Sequence, residues 1–208
     1  MNTEELRAIL ITASVVIGLL SLKSFLRQYP TFIRCISRWK AAFSLQHSLG
    51  DARDRDILAF ICLLPFAIII DKYSVYDATY LNAIPELLRI PFIIGLAILL
   101  ALLRRMFGPT HRRFHREQVL TSVRSMYTHF IVLVTFLIGT VLLLEAFNCS
   151  LPVIKVLCVI EIALMELISM THTAQILNSF CHGFETFLYL WALEIIPTAL
   201  IVVSAAVL

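Results

Sequence analysis

Four glutamates, Glu145, Glu161, Glu166 and Glu194, lie in strongly apolar stretches of this 208-residue chain. A charged side chain in the hydrocarbon core of a bilayer is costly, so intramembrane acids usually face a bundle interior, a partner or a water-filled cavity. There they either join helices through hydrogen bonds or carry protons or cations. We keep both roles open for Glu161, Glu166 and Glu194. Glu145 lies near the end of its stretch, where its carboxylate can reach the aqueous surface.

The spacing of these acids limits how they can act together. The apolar run from Leu151 places Glu161 roughly 15 Å deep, near the bilayer centre, at 1.5 Å of rise per residue. We expect Glu166 and Glu194 at similar depths on adjacent antiparallel helices, where they can share a proton or a hydrogen-bond network. Glu166 is rotated about 140° from Glu161 around a helix. The two acids therefore cannot face one narrow cavity.

A second group of polar residues, His172, Cys181 and His182, carries side chains that bind metals. Their spacing matches no known zinc motif, and a tetrahedral zinc site needs a fourth ligand. His172 also shares a helical stripe with Glu161, so it is a second candidate for a relay. The chain contains no HExxH, GxSxG or paired-aspartate motif. We therefore predict a non-enzymatic protein with no cofactor, and keep the three residues as a candidate metal site.

The composition predicts the elements that must position these residues. Mean hydropathy is +0.89 and 15% of the residues are charged, so the expected solvent is a bilayer. A helix needs roughly 17 to 25 residues to cross the hydrocarbon core. We predict one all-α polytopic domain of six spans, at residues 6–22, 56–70, 87–103, 130–147, 151–170 and 187–208.

Basic residues are concentrated in two of the predicted connections. They include Arg34, Arg38 and Lys40 in 23–55, and Arg104, Arg105, Arg112, Arg113 and Arg116 in 104–129. The intervening connection, 71–86, contains only Lys72. By the positive-inside rule the two basic loops and the loop 171–186 are cytoplasmic, and both termini are periplasmic.

Residues 29–45 of the first basic loop have apolar side chains at helical spacing, with arginine and lysine between them. This pattern predicts an amphipathic helix lying in the lipid headgroup region. Clusters of basic residues beside membrane spans normally bind anionic lipid, so we expect a lipid surface and no nucleic acid. Pro91 and Pro197 are predicted to kink the third and sixth spans.

Two segments resemble a family of multi-pass inner-membrane proteins of unknown function from Bacteroidota. They are Arg27 to Leu49 and the ending FCHGFETFLYLWALEIIPTALIV, from Phe180 to Val202. The FLYL and LEIIP elements, Phe187 to Leu190 and Leu193 to Pro197, carry the resemblance most specifically. It implies a bacterial inner-membrane location and no assigned chemistry, and it singles out Glu194 and Pro197.

The sequence favours two functional hypotheses. The first is an accessory or scaffold subunit of a larger membrane assembly, which contacts lipid and either other membrane proteins or further copies of itself. The second is a small proton- or cation-coupled transporter or channel that uses the intramembrane glutamates. Water at Glu161 and Glu194 would favour transport, and a dry helix contact would favour the scaffold.

Overall fold

The computed structural model of the protein describes residues 3–41, 49–76, 84–107, 116–179, 183–191 and 195–196. Within these ranges the chain is helical, with short turns and no strand, which confirms the predicted all-α class. The helices are α1 (Thr3–Ser37), α2 (Leu49–Lys72), α3 (Glu86–Phe107), α4 (Arg116–Ala146), α5 (Leu151–Asn178) and α6 (Gly183–Leu190).

Two of the helices end in the same backbone motif. After α4, Asn148 adopts a left-handed conformation at φ 53°, and the Cys149 N–H donates to the Leu144 carbonyl. After α2, Ser74 does so at φ 46°, and the Val75 N–H donates to the Ile70 carbonyl. These are Schellman motifs, which satisfy the last carbonyls of a helix and reverse the chain. Asparagine tolerates the left-handed region better than most residues do.

The polar contacts between helices define their directions. Arg7 on α1 binds Asp71 on α2, whereas Ser24 on α1 binds Asp54 on α2, so α1 and α2 are antiparallel. Lys72 at the end of α2 binds Glu145 at the end of α4. We call the end of the bundle that contains these last two residues and the α4–α5 turn the turn end, and the opposite end the basic end.

The central helix of the bundle is α4, which packs against α1, α2, α3 and α5. Its residues Ile131, Val132, Val134 and Leu137 are fully buried. By contrast, the outer surface of the bundle is apolar, and Leu20 on α1 is 81% exposed. An apolar outer surface around a packed interior is what a bilayer requires, because lipid tails are as apolar as leucine.

Three helices are long and apolar enough to cross a membrane, within the described ranges and by length and composition alone: Arg7–Ser37, Glu86–Leu103 and Thr121–Ala146. Most of the sixth predicted span, 187–208, lies outside the described residues, and the helices that contain the second and fifth predicted spans carry several charged residues. Five of them crowd the first turns of α2, Asp51 and Arg53 to Asp56, and α5 carries Lys155, Glu161 and Glu166.

The helices extend beyond the predicted spans. α1 continues through Pro30 to Ser37, so the first part of the predicted amphipathic segment belongs to α1, while residues 42–48 lie outside the described chain. α4 begins at Arg116 and α5 ends at Asn178, both inside connections predicted as loops. α3 continues through Pro91. A run of apolar residues marks the part of a helix that lies in hydrocarbon. The helix can continue beyond that part, because it needs only its backbone hydrogen bonds.

A substitution at Phe32 tests whether the end of α1 packs against the other helices of the bundle. Its side chain is fully buried with Leu58 and Ile131, whereas Phe60 on α2 is 67% exposed. We expect Phe32→Ala to lower the free energy of unfolding by about 3 kcal/mol, because it leaves a cavity. Phe60→Ala, the control, should cost clearly less. Reversible unfolding in mixed micelles measures both, and equal costs would contradict the packing.

Candidate functional site

The candidate site lies in the hairpin of α4 and α5, where two polar contacts cross between the helices. Thr140 of α4 donates a hydrogen bond to Oε1 of Glu161 on α5. Further toward the basic end, His129 of α4 meets His172 of α5. Both contacts fit one antiparallel register, since His129 and Thr140 are as far apart on α4 as Glu161 and His172 are on α5. At 1.5 Å per residue the two contacts are separated by about 16 Å along the hairpin.

Glu161 is half-buried on α5, and its carboxyl group faces α4. Besides the bond that Oε1 accepts from Thr140, its Oε2 is buried and has no hydrogen-bond partner among the described residues. Cys158, one turn earlier on α5, is fully buried in an apolar cluster with Leu137 and Ile154. The carboxyl group therefore joins α5 to α4 through one oxygen and keeps the other oxygen without a donor.

The partner of His172 is His129, which the sequence analysis did not select. His129 Nδ1 lies 2.8 Å from the carbonyl oxygen of Ser125, one turn earlier on α4. Its Nε2 lies 3.2 Å from His172 Nδ1, and the two rings meet edge to face. The carbonyl can only accept, so Nδ1 of His129 carries a proton, and in a neutral pair Nε2 accepts from His172. His129 is buried and His172 half-buried.

The remaining predicted residues are placed as follows. Glu166 lies half-buried on α5 and has an interaction of its own. Glu194, Pro197, Cys181 and His182 lie outside the described residues, so the predicted acid pair and the predicted metal set stay predictions. In the part of the chain that the structure describes, no group of three or more histidine, cysteine, aspartate or glutamate side chains could hold a metal ion.

Glu145 lies at the turn end, as expected for an acid near the end of a span, and two other polar side chains contact it there. Its Oε1 accepts hydrogen bonds from Lys72 Nζ at 2.7 Å and from the Tyr73 hydroxyl at 2.5 Å. The hydrogen bond to Glu145 raises the pKa of the Lys72 ammonium, and burial raises the pKa of the Tyr73 phenol. The cluster joins the end of α2 to the end of α4.

Ion pairs also join α1 to α2 at both ends of the bundle. At the turn end, Arg7 Nη2 lies 3.1 Å from Asp71 Oδ2. Toward the basic end, Arg27 Nη2 lies 2.6 Å from Asp54 Oδ2. Of these pairs the exposed one, Arg27–Asp54, contributes at most about 1 kcal/mol, whereas the Asp71 side chain of the other pair is only 4% exposed. Their main effect is to fix the register of the two helices.

The residues predicted to form a lipid-facing basic surface are only partly described. Arg34, Arg38 and Lys40 are exposed at the end of α1, and the Lys40 ammonium lies 5.5 Å from the centre of the Trp39 ring. Arg104 and Arg105 lie in the last turn of α3, and Arg116 is the first residue of α4. Arg112 and Arg113 lie outside the described residues.

Comparison of the chain with protein-family models, with curated proteins and with solved structures found no match. The resemblance to the Bacteroidota inner-membrane family therefore stays a prediction. The site has to be interpreted from its own geometry.

The Thr140–Glu161 contact can be tested with a double-mutant cycle. We expect Thr140→Val to lower the free energy of unfolding by about 1 kcal/mol, as interhelical hydrogen bonds in membranes do. In a Glu161→Leu background the same change should cost much less, because the acceptor is already gone. Thr135→Val is the control, since the Thr135 hydroxyl donates to Ile131 of its own helix. Additive costs in the cycle would contradict a direct contact.

Proposed function

We propose that the protein is a non-enzymatic accessory or scaffold subunit of a larger inner-membrane assembly. In this proposal it spans the bacterial inner membrane six times, with both termini in the periplasm and the basic end of the bundle in the cytoplasm. Its partners are membrane lipid and either other membrane proteins or further copies of the same chain.

One observation supports this proposal above the others: most of the described ion pairs, and the hydrogen bond between Thr140 and Glu161, join different helices. Arg7 binds Asp71, Lys72 binds Glu145, and Thr140 binds Glu161, each on a different helix. Side chains engaged in this way stabilise an arrangement of helices. The wide apolar surface around them is available to lipid and to the helices of a partner.

The surface of α1 fits this role, because a membrane partner needs an accessible helix. Its exposed large apolar side chains include Leu20, the most exposed among the described residues, and Val15, Leu19 and Leu26. Small residues, Ala13, Ser14 and Gly18, lie among them, and small residues allow helices in membranes to approach closely. Lipid alone would also satisfy this surface, so the experiment has to separate a partner from lipid.

Gentle extraction followed by native mass measurement provides this separation. We expect a mass above that of one chain plus bound lipid, from a second protein or from further copies. Two variants, Leu20→Trp on α1 and Leu142→Trp on α4, change strongly exposed side chains, so neither is expected to affect the fold. If only one of them loses the complex, the interface lies on the helix that this variant changes. A lone monomer of the unaltered protein would contradict the proposal.

A second function, proton- or cation-coupled transport, is favoured by one specific feature, the Oε2 atom of Glu161. A buried carboxyl oxygen without a donor can accept a proton or bind a cation, and intramembrane acids commonly do this in transporters. In this alternative, Glu161, Glu166 and Glu194 act in one pathway.

Flux into liposomes tests the alternative. If the protein transports protons or cations, Glu161→Gln and Glu194→Gln should each reduce the flux at least tenfold, because glutamine can neither release a proton nor balance a cation. Glu145→Gln is the control, because Glu145 binds Lys72 at the edge of the bundle. Flux that is unchanged by both substitutions, or equal to that of empty liposomes, would eliminate transport through these acids.

A further inference from the structure

The outer face of α1 changes from apolar to basic along its length. With about 100° of rotation per residue, six exposed side chains fall within a sector of about 60°. They are Val16, Leu20, Lys23, Arg27, Arg34 and Arg38, and we call the last four the basic stripe. Arg38 directly follows α1, and its N–H donates to the Arg34 carbonyl at 2.8 Å, so the helical spacing extends to it. The side of α1 that faces acyl chains in a bilayer is therefore also the side that carries the cations.

The opposite side of α1 keeps its last turns against the bundle. Phe32 and Cys35 are buried in one cluster with Leu58 of α2. Leu58 comes directly after the charged first turns of α2, where the apolar part of that helix begins. Charges of this density mark the edge of the hydrocarbon core. The end of α1 therefore stays near the level at which hydrocarbon gives way to lipid headgroups.

The cations of the basic stripe are not equally balanced by acids. The sequence contains no aspartate or glutamate at residues 6–50. The guanidinium of Arg27 is balanced from α2, because its Nη2 lies 2.6 Å from Asp54 Oδ2. Arg34 and Arg38 are exposed and make no ion pair among the described residues. Two guanidinium groups one helical turn apart are therefore open to an external anion.

The residues after Arg38 add an aromatic ring and a third cation. Trp39 is half-buried, and the Lys40 ammonium lies 5.5 Å from the centre of its ring. Tryptophan is enriched at membrane–water interfaces, because its ring is amphipathic. Arginine binds phosphate through parallel hydrogen bonds from one guanidinium. Side chains on a helix lean toward its N-terminus, so Arg34 and Arg38 reach back toward the apolar part of α1.

We propose that the end of α1 binds an anionic phospholipid, whose phosphate contacts Arg34 and Arg38 and whose acyl chains lie along the apolar part of the same face. An acidic segment of a cytoplasmic protein would match the same charges. Lipid is favoured because the arginines lie on the lipid-facing side of α1, in line with the exposed Val16 and Leu20. Basic clusters beside membrane spans attract anionic lipid in this way. The site rests on the membrane location proposed above, but not on assembly with a partner.

Trp39 can report the bound lipid, because Trp191→Phe leaves it as the single tryptophan of the chain. The full-length protein is placed in phosphatidylcholine bilayers that contain a small fraction of nitroxide-labelled phosphatidylglycerol or, at the same fraction, nitroxide-labelled phosphatidylcholine. A nitroxide on an upper acyl-chain carbon quenches nearby tryptophan. We expect roughly tenfold stronger apparent binding of the anionic quencher, because each arginine near the surface adds to the attraction. Arg34→Gln/Arg38→Gln should bring this ratio close to one.

Arg53→Gln is the matched control, because Arg53 is exposed at the same end of the bundle but lies on α2, outside the basic stripe. It should keep most of the preference for the anionic lipid. Inorganic phosphate at matched ionic strength should leave the ratio unchanged, and a fall would instead assign the arginines to a free anion.

Two further results would overturn the lipid site. Equal quenching by both lipids would do so and would leave an acidic protein segment as the ligand of the basic stripe. A preference that survives Arg34→Gln/Arg38→Gln would show that other residues select the lipid. Native mass measurement detects assembly separately, so a protein that forms its complex but shows no lipid preference would contradict this site alone.

Discussion

The cost of leaving polar groups unpaired between membrane helices is the constraint on which this structure depends. Hydrogen bonds within each helix satisfy the backbone polar groups, but the polar side chains of α4 and α5 need hydrogen-bond partners across the hairpin. Thr140 meets Glu161 and His129 meets His172 in one register. A slip of one residue would rotate a helix by about 100° and break both contacts together. The turn after α4, with Asn148 in the left-handed region, fixes that register from one end.

The same constraint explains why the contacts at the ends of the bundle differ from those inside it. At the ends, water screens charges, and ion pairs such as Arg27 with Asp54 contribute little energy while still aligning helices. Inside the bundle, a lone ion would be too costly, and the described contacts there use a hydroxyl with a carboxyl group and a pair of imidazoles. Arg55 is an informative intermediate case. Its side chain is 1% exposed, and its guanidinium binds the carboxylate of the adjacent, half-exposed Asp56, which keeps the buried charge paired.

The sequence was sufficient for the all-α class, because composition and long apolar runs determine it. It also selected Glu161, whose carboxyl group accepts a hydrogen bond from Thr140 across the hairpin. It was not sufficient for His129, which lies next to a basic stretch and looks like part of a surface. His129 is buried because α4 pairs with α5. The turn between these helices sets how they pair, and the pattern of apolar residues does not determine the length of that turn. The extent of α1 was missed for a related reason, since basic residues such as Arg34 and Arg38 near Phe32 resemble a surface helix although Phe32 packs against α2 and α4.

The distance between Glu161 and the imidazole pair also bears on the choice between the two proposed functions. A proton relay needs donors and acceptors within hydrogen-bond reach of each other, either directly or through water. The interval between Glu161 and His172 is occupied by an apolar cluster that includes the fully buried Leu137. To transfer protons along the hairpin, the bundle would have to open this cluster or route them around it through Glu166. Holding helices together needs no such rearrangement, and for this reason we place the accessory role before transport.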